Sequence, residues 1–319
     1  MKAHLVLKHG AAVGLMSVAL SACGGGGSTP STARSYPGQT GDFTRTVSVE
    51  GVTRTYLLHV PTSYASASPS PVVLLFHGGG GSAATISGLP GGFSALADRS
   101  GFIAVYPDAV GGFWDDGRET LTARTLDVAF TAALLDALAT EYHVDGRRVY
   151  ASGISNGGML AHRLACELSG RFAAVASVAA NMPSAVAATC VPTQPVPVVM
   201  FSGTADPLMP YNGGSVVSAN AGLVLSAPAT AIFWAAKNRA ASTPQLTALP
   251  DAAPSDGSTT DLLTYASTSG EVALYRINGG GHTWPGGTQY YPVSLIGTVS
   301  KDFSANDAMW AFFARHPRP

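Results

Sequence analysis

Charge is scarce in this chain. Only 12% of its 319 residues are Asp, Glu, Lys or Arg, and 18 basic groups nearly balance 19 acidic ones, for a formal net charge of −1. No basic stripe appears, which excludes the electrostatic footprint that nucleic-acid binding requires. Cysteine is as sparse: Cys23, Cys166 and Cys190 stand far apart and form no metal-binding cluster. No His-x-x-x-His helix is present and no nucleotide-binding glycine pattern opens an expected helix, so no metal or cofactor is implied. A bilayer-crossing run of roughly 20 apolar residues is missing as well, and no internal repeat is evident.

What is present at the start is a short export pattern. Lys2 and Lys8 precede or flank the approach to an apolar stretch, Ala11 to Leu20, and Leu20-Ser21-Ala22-Cys23 then places small residues ahead of a cysteine. That order describes a secretory signal. Its end resembles the bacterial lipobox, in which the cysteine is lipidated and becomes the mature N-terminus; an ordinary signal cleaved near Ala22 is the plainer alternative. Gly24-Gly25-Gly26-Gly27-Ser28-Thr29-Pro30 has too little apolar surface to fold and reads as a flexible leash. The expected organisation is a signal over 1–22, a tether over 23–41 with lipidated Cys23, and one catalytic domain over 42–319. Gly24 lacks the aspartate that often marks inner-membrane retention, so export to the cell envelope, with the outer membrane preferred, is expected.

Beyond the leash, Thr44 to Glu50 and Thr53 to Val60 alternate around Gly51 and read as a hairpin. Pro71 to Phe76 is continuously apolar, as expected of a parallel strand buried on both faces. Phe102 to Tyr106, Arg148 to Ser152, Phe172 to Val178, Val196 to Phe201 and Val272 to Ile277 read as further short strands. Thr125 to Tyr142, Met159 to Leu168, Ala229 to Asn238 and Ala305 to Arg315 read as helices. This alternation predicts an α/β fold with a mostly parallel central sheet and helices on both faces. Ala240 to Thr260, rich in Ala, Pro and Ser, reads as a surface excursion.

Gly153-Ile154-Ser155-Asn156-Gly157 fits the pattern G-x-S-x-G, entered from an apolar strand and left by a helix, which is the context of the α/β-hydrolase nucleophile elbow. Side chains at Gly153 and Gly157 would collide in so sharp a turn, and the following helix favours negative charge at its N-terminus. His77-Gly78-Gly79-Gly80 follows the buried strand and offers backbone N–H groups to a tetrahedral oxyanion. Gly79 is the expected donor with Gly80 next, and the N–H of Asn156 is the other. His77 itself reads as structural. Acid and base should follow the serine in the order Ser, Asp, His. Asp206 and His282 each come just past a strand and reach the same edge of the sheet; His282 would take the serine proton and Asp206 would fix its tautomer. His59, His143, His162 and His316 read as structural, while Asp302 and Asp307 follow His282 and break the order. Trp114, Tyr211 and Trp284 adjoin motifs or strand-end loops and are expected to wall the substrate cleft. Cys166 and Cys190 either pair in an oxidising compartment or remain buried thiols.

From about Thr44 to Arg315 the chain resembles the polyhydroxybutyrate depolymerase and feruloyl esterase-like family of α/β-hydrolases. The carrying motifs are His77-Gly78-Gly79-Gly80-Gly81, Gly153-Ile154-Ser155-Asn156-Gly157-Gly158-Met159, Gly203-Thr204-Ala205-Asp206-Pro207 and Gly280-Gly281-His282-Thr283-Trp284-Pro285. The resemblance implies a serine esterase acting on carboxylic esters such as polyhydroxyalkanoate oligomers or feruloyl and related aryl esters. It also implies Ser155, Asp206 and His282 as the triad, and Cys166 paired with Cys190. The expected partners are an ester substrate and, through the lipid anchor alone, a membrane; no obligate protein partner is implied. Two departures bear on substrate. Ser202-Gly203-Thr204 stands where relatives commonly have His-Gly-Thr, and no Thr-rich linker or polymer-binding domain follows Arg315, so soluble esters or oligomers are expected over insoluble polymer. Two other readings compete: hydrolysis of another acyl bond, in a peptide or an oxidised polyvinyl alcohol β-diketone, and a surface-anchored binding protein on an inactive scaffold. The lack of room for a gating domain argues against a peptidase, and an intact Ser, Asp and His set argues against the binding protein.

Overall fold

The run from Pro71 to Phe76 has no solvent-facing side, and it lies inside a ten-stranded sheet. The computed structural model describes residues 36–319 except 90–91, 121–124 and 219, so the expected signal, Cys23 and the first part of the tether lie outside the described residues. In chain order the strands are β1 (Gly41–Val49), β2 (Val52–Val60), β3 (Ser70–Phe76), β4 (Ile103–Pro107), β5 (Val144–Gly153), β6 (Ala174–Val178), β7 (Val198–Gly203), β8 (Gly214–Ser215), β9 (Leu223–Val224), β10 (Gln245–Ala248), β11 (Thr259–Tyr265) and β12 (Val272–Asn278). The helices are α1 (Ala83–Ser87), α2 (Phe93–Ser100), α3 (Asp127–Glu141), α4 (Asn156–Glu167), α5 (Ser184–Thr189), α6 (Ala227–Lys237), α7 (Val293–Ile296) and α8 (Ala305–Ala314).

The large sheet runs β1-β2-β4-β3-β5-β6-β7-β12-β11-β10, and β8 pairs separately with β9. It is parallel from β4 through β12 and antiparallel at both edges. The two-residue period of β3 divides its side chains between two cores. Val72, Leu74 and Phe76 join Phe130 and Leu134 of α3, Leu160 and Leu164 of α4, and Trp234 of α6. Val73 and Leu75 face Phe93 and Leu96 of α2 and Met309 and Phe312 of α8. The mostly parallel central sheet expected from the alternation is therefore present, with helices on both faces.

Two segments depart from the sequence reading. The excursion over 240–260 is not a plain loop: β10 lies within it and pairs antiparallel with β11, extending the sheet by two strands beyond β12. All four side chains of β10 are exposed, so no apolar alternation marked it as a strand. The last residues of the expected tether also touch the domain. Tyr36 stacks on His143 with ring centroids 4.5 Å apart, and Gly38 donates its N–H to the carbonyl of Glu141 at 2.9 Å, so the chain is already packed on the domain before β1 begins.

Cys166, near the end of α4, is bonded to Cys190, just past α5, with Cα atoms 5.2 Å apart. The pairing implied by the family resemblance is present. Closing a loop with a sequence separation of 24 restricts the unfolded chain by about 3 kcal/mol in the chain-entropy account.

Candidate active site

Four strand ends converge on one edge of the sheet, and each delivers a segment singled out in the sequence. β5 ends at Gly153, and Ser155 occupies the turn into α4 with φ 54° and ψ −122°. A positive φ is strained for a residue with a Cβ and persists only where its surroundings enforce it. The glycines around it show that enforcement. A Cβ at Gly157 would lie 2.3 Å from the carbonyl oxygen of Phe76, and one at Gly153 would lie 2.5 Å from the carbonyl carbon of Gly157. At Gly158 a Cβ would meet that of Ala180 at 2.6 Å. α4 thus packs directly on the end of β3, with its first N–H groups beside Ser155.

β3 delivers the glycine loop. The N–H of Gly79 has no hydrogen-bond partner among the described residues, and neither does that of Asn156 at the first position of α4. Gly80, expected as a further donor, is excluded: it has φ 74° and its N–H donates to the carbonyl of Gly112 at 2.8 Å. A Cβ at Gly79 would lie 2.8 Å from the ring of Phe113, so the loop is pressed against that side chain. His77 is buried and braces the loop from behind. Its Nε2 accepts from the Ala109 N–H at 3.2 Å, which leaves Nδ1 to donate to the Gly78 carbonyl at 2.8 Å. Burial lowers its pKa and keeps this ring neutral.

β7 and β12 are parallel neighbours, and Asp206 and His282 follow them. Their two loops pass so closely that a Cβ at Gly203 would lie 2.3 Å from the Gly280 carbonyl oxygen. His282 Nδ1 and Asp206 Oδ2 are 2.8 Å apart, with both side chains nearly sealed from solvent. The other carboxylate oxygen, Oδ1, accepts from the backbone N–H groups of Leu208 at 2.8 Å and Met209 at 2.7 Å. An ionised carboxylate only accepts, so in the neutral ring Nδ1 carries the proton and Nε2 the lone pair. Tyr290 donates its hydroxyl to the His282 carbonyl at 2.6 Å and fixes the backbone there. Ser155, His282, Gly79 and Asn156 all line one cavity of about 510 Å³.

The three aromatic residues expected in the cleft divide. Trp284 lines the cavity, with its indole N–H donated to Asn306 Oδ1 at 2.8 Å. Trp114 does not: it is 0% exposed, packed edge-on against Phe76, with its indole N–H donated to the His77 carbonyl at 2.9 Å. Tyr211 is not among the cavity's lining residues either: it is half-buried, near Asp206 and packed against the core. The walls that sequence reasoning missed are Ile86, Leu89, Phe113, Met159, Leu208, Val216, Tyr290 and Tyr291, with Arg118 as the lone Arg, Lys, Asp or Glu among the described lining residues. Asn156 has a second function in the structure. Its side chain accepts from Trp114 N–H at 2.7 Å and donates to the Trp114 carbonyl at 3.0 Å and to Asp116 Oδ2 at 2.6 Å. Asp116 and Arg118 were legible only as charges clustered in Asp115-Asp116-Gly117-Arg118, in a chain with few of them.

His162, on α4 behind the elbow, is completely buried and accepts from the Trp234 indole N–H at 3.0 Å through Nδ1. Burial pushes its pKa down to about 4. The unfolded chain therefore binds this proton first, so stability is full above the ordinary histidine pKa of about 6.5 and is lost as pH falls from there towards 4. The loss reaches up to about 3 kcal/mol at the acid end, and His77 adds to it in the same sense. Urea midpoints should accordingly be lower at pH 5 than at pH 7, and a His162→Asn variant should lose much of that dependence. An equal fall in the variant would remove His162 as its source.

A family model described as Esterase PHB depolymerase matches residues 54–229. The protein named "Putative esterase NocK" from Nocardia uniformis subsp. tsuyamanensis is 38% identical over 276 residues, which cover 82% of this chain and 80% of that protein. Feruloyl esterase B of Piromyces equi is 28% identical over 238 residues, covering 72% of this chain but only 42% of that longer protein. Among solved structures, an acetyl xylan esterase from Aspergillus awamori superposes with a TM-score of 0.55 and 17% identity, covering 82% of this chain and 94% of that one. At that identity the likeness speaks for the fold alone.

Proposed function

Since this chain belongs to the Esterase PHB depolymerase family and is an ester hydrolase, we propose that it cleaves carboxylic esters through an acyl-enzyme on Ser155. The observation that carries the reading is the 2.8 Å pairing of His282 with a sealed Asp206 at the cavity that also holds the strained Ser155. His282 Nε2 takes the proton of Ser155 Oγ as that oxygen attacks the ester carbonyl carbon. The negative charge moves to the carbonyl oxygen, where the N–H groups of Gly79 and Asn156 and the N-terminus of α4 stabilise it. Collapse breaks the acyl–oxygen bond, and His282 returns its proton to the leaving alkoxide. A water molecule then repeats the sequence on the acyl-enzyme, releasing the acid and restoring Ser155.

The substrates proposed are soluble or oligomeric esters with a compact acyl group, of the hydroxyalkanoate, acetyl or feruloyl kind. The cavity supports this by its mixture of aliphatic walls with Phe113, Trp284, Tyr290 and Tyr291. Short-chain p-nitrophenyl esters should be turned over and peptide anilides should not; the reverse would overturn the ester reading. Export is part of the same proposal: cleavage after Ala22, lipid on Cys23, and anchoring to the envelope, with the catalytic domain beginning near Tyr36. Partitioning of a Cys23→Ser variant tests the anchor, since release from the membrane fraction is expected and unchanged retention contradicts it.

A further inference from the structure

One charged side chain in the catalytic cavity has no part in the chemistry above. Arg118 is 4% exposed and lines the cavity with Ser155, Asn156, Met159 and Val216. Its Nε donates to both oxygens of Asp116, at 3.1 and 3.0 Å, and its Nη1 donates to the carbonyls of Asn220 and Ala221. Asp116 also receives the side-chain N–H of Asn156, so Arg118 stands one carboxylate away from the residue that follows the nucleophile. Its position is held from behind as well, because a Cβ at Gly222 would come within 2.9 Å of Arg118 Cδ. Among the described residues Nη2 has no hydrogen-bond partner, and it is not fully sealed from solvent. A guanidinium presents its donors in a rigid fork, so the bonds made by Nε and Nη1 fix where Nη2 points.

The proton delivered by His282 locates the two halves of a bound ester. The leaving group must lie beside His282, where Trp284 and Tyr290 form the wall. The acyl group is then assigned to the side of Met159 and Val216, which pack together in one apolar cluster and line the cavity along with Leu208, Val217, Ser218 and Arg118. An apolar lobe with one oriented donor distinguishes acyl chains by whether they carry an acceptor, since a buried donor left unmatched is penalised.

We propose that Arg118 is a specificity residue whose Nη2 donates to an acceptor oxygen on the acyl chain, selecting oxygen-bearing acyl groups over plain alkanoyl groups. The oxygen is neutral, a hydroxyl, ether or further ester carbonyl, because Asp116 already balances the guanidinium charge. This rests on the acyl-enzyme reading, and its test separates the two. The p-nitrophenyl esters of pentanoate and 3-methoxypropanoate have acyl chains of equal length and differ by one oxygen. With kcat/KM corrected for each ester's own hydroxide-catalysed rate, the wild type should favour the methoxy ester about tenfold. The ratio should fall to about one in Arg118→Met, and also in the double variant Asp116→Asn/Arg118→Met, which leaves no unpaired buried charge should the single variant fail to fold. A wild-type ratio near one, or a ratio retained in a folded variant, overturns the role of Arg118. A greater preference for the hemisuccinate ester than for the methoxy ester overturns the neutral-oxygen assignment. Pentanoate turnover that disappears in Ser155→Ala upholds the acyl-enzyme reading whatever the ratio, and no turnover of either ester overturns both.

Discussion

Replacing Ser155 with alanine is expected to lower kcat by about 10^5 to 10^6 for any ester the wild type cleaves, with no change in folding. The size follows from what remains. Without the hydroxyl no acyl-enzyme can form, and the N–H groups of Gly79 and Asn156 can assist only direct attack by water, which retains about 10^3 to 10^4 over the uncatalysed rate. Folding is preserved because alanine keeps the Cβ and takes the same turn at φ 54°, which the contacts of Gly153, Gly157 and Gly158 impose. Steady-state rates and a thermal melt on the same sample check both halves. Residual turnover near the wild-type level on a folded variant would move the nucleophile elsewhere.

Asp206→Asn is expected to lower kcat by about 10^4 while leaving the fold and substrate affinity largely intact. The asparagine carbonyl can replace Oδ1 and keep the N–H groups of Leu208 and Met209, so the loop after β7 holds its course. The amide nitrogen then occupies the place of Oδ2, 2.8 Å from His282 Nδ1. Two donors cannot face each other there, so the imidazole changes tautomer, and the proton moves to the nitrogen that must receive one from Ser155. A loss in kcat with KM little altered checks this, whereas a rise in KM alone would make Asp206 a binding residue.

Much of the scaffold was legible because parallel strands buried on both faces are written as short apolar runs. β3, β4, β6, β7 and β12 were each visible in that way, and the glycine motifs after β3, β5, β7 and β12 marked the edge where chemistry gathers. The pattern failed where burial was one-sided or absent, as at the fully exposed β10. Side-chain direction was the second limit. Trp114 and Trp284 both adjoin loop motifs, yet one indole turns into the core to reach the His77 carbonyl and the other stays on the cavity wall. Sequence neighbours alone do not distinguish these outcomes. Gly80 failed for a third reason, since its N–H is consumed by Gly112 from a distant loop whose approach no local pattern records. The same loop carries Asp116 and Arg118, which reach the cavity through Asn156 and a network of buried hydrogen bonds.

A fluorophosphonate probe tests the serine mechanism most directly, because it reacts with a hydroxyl only where a base and an oxyanion site activate it. The soluble form begun at Gly24 should be incubated with the probe and the adduct located by peptide mass spectrometry. The account predicts one adduct on Ser155, formed in parallel with loss of ester turnover and absent from His282→Ala. Labelling at another residue, or no labelling of a folded protein that still hydrolyses esters, would contradict it.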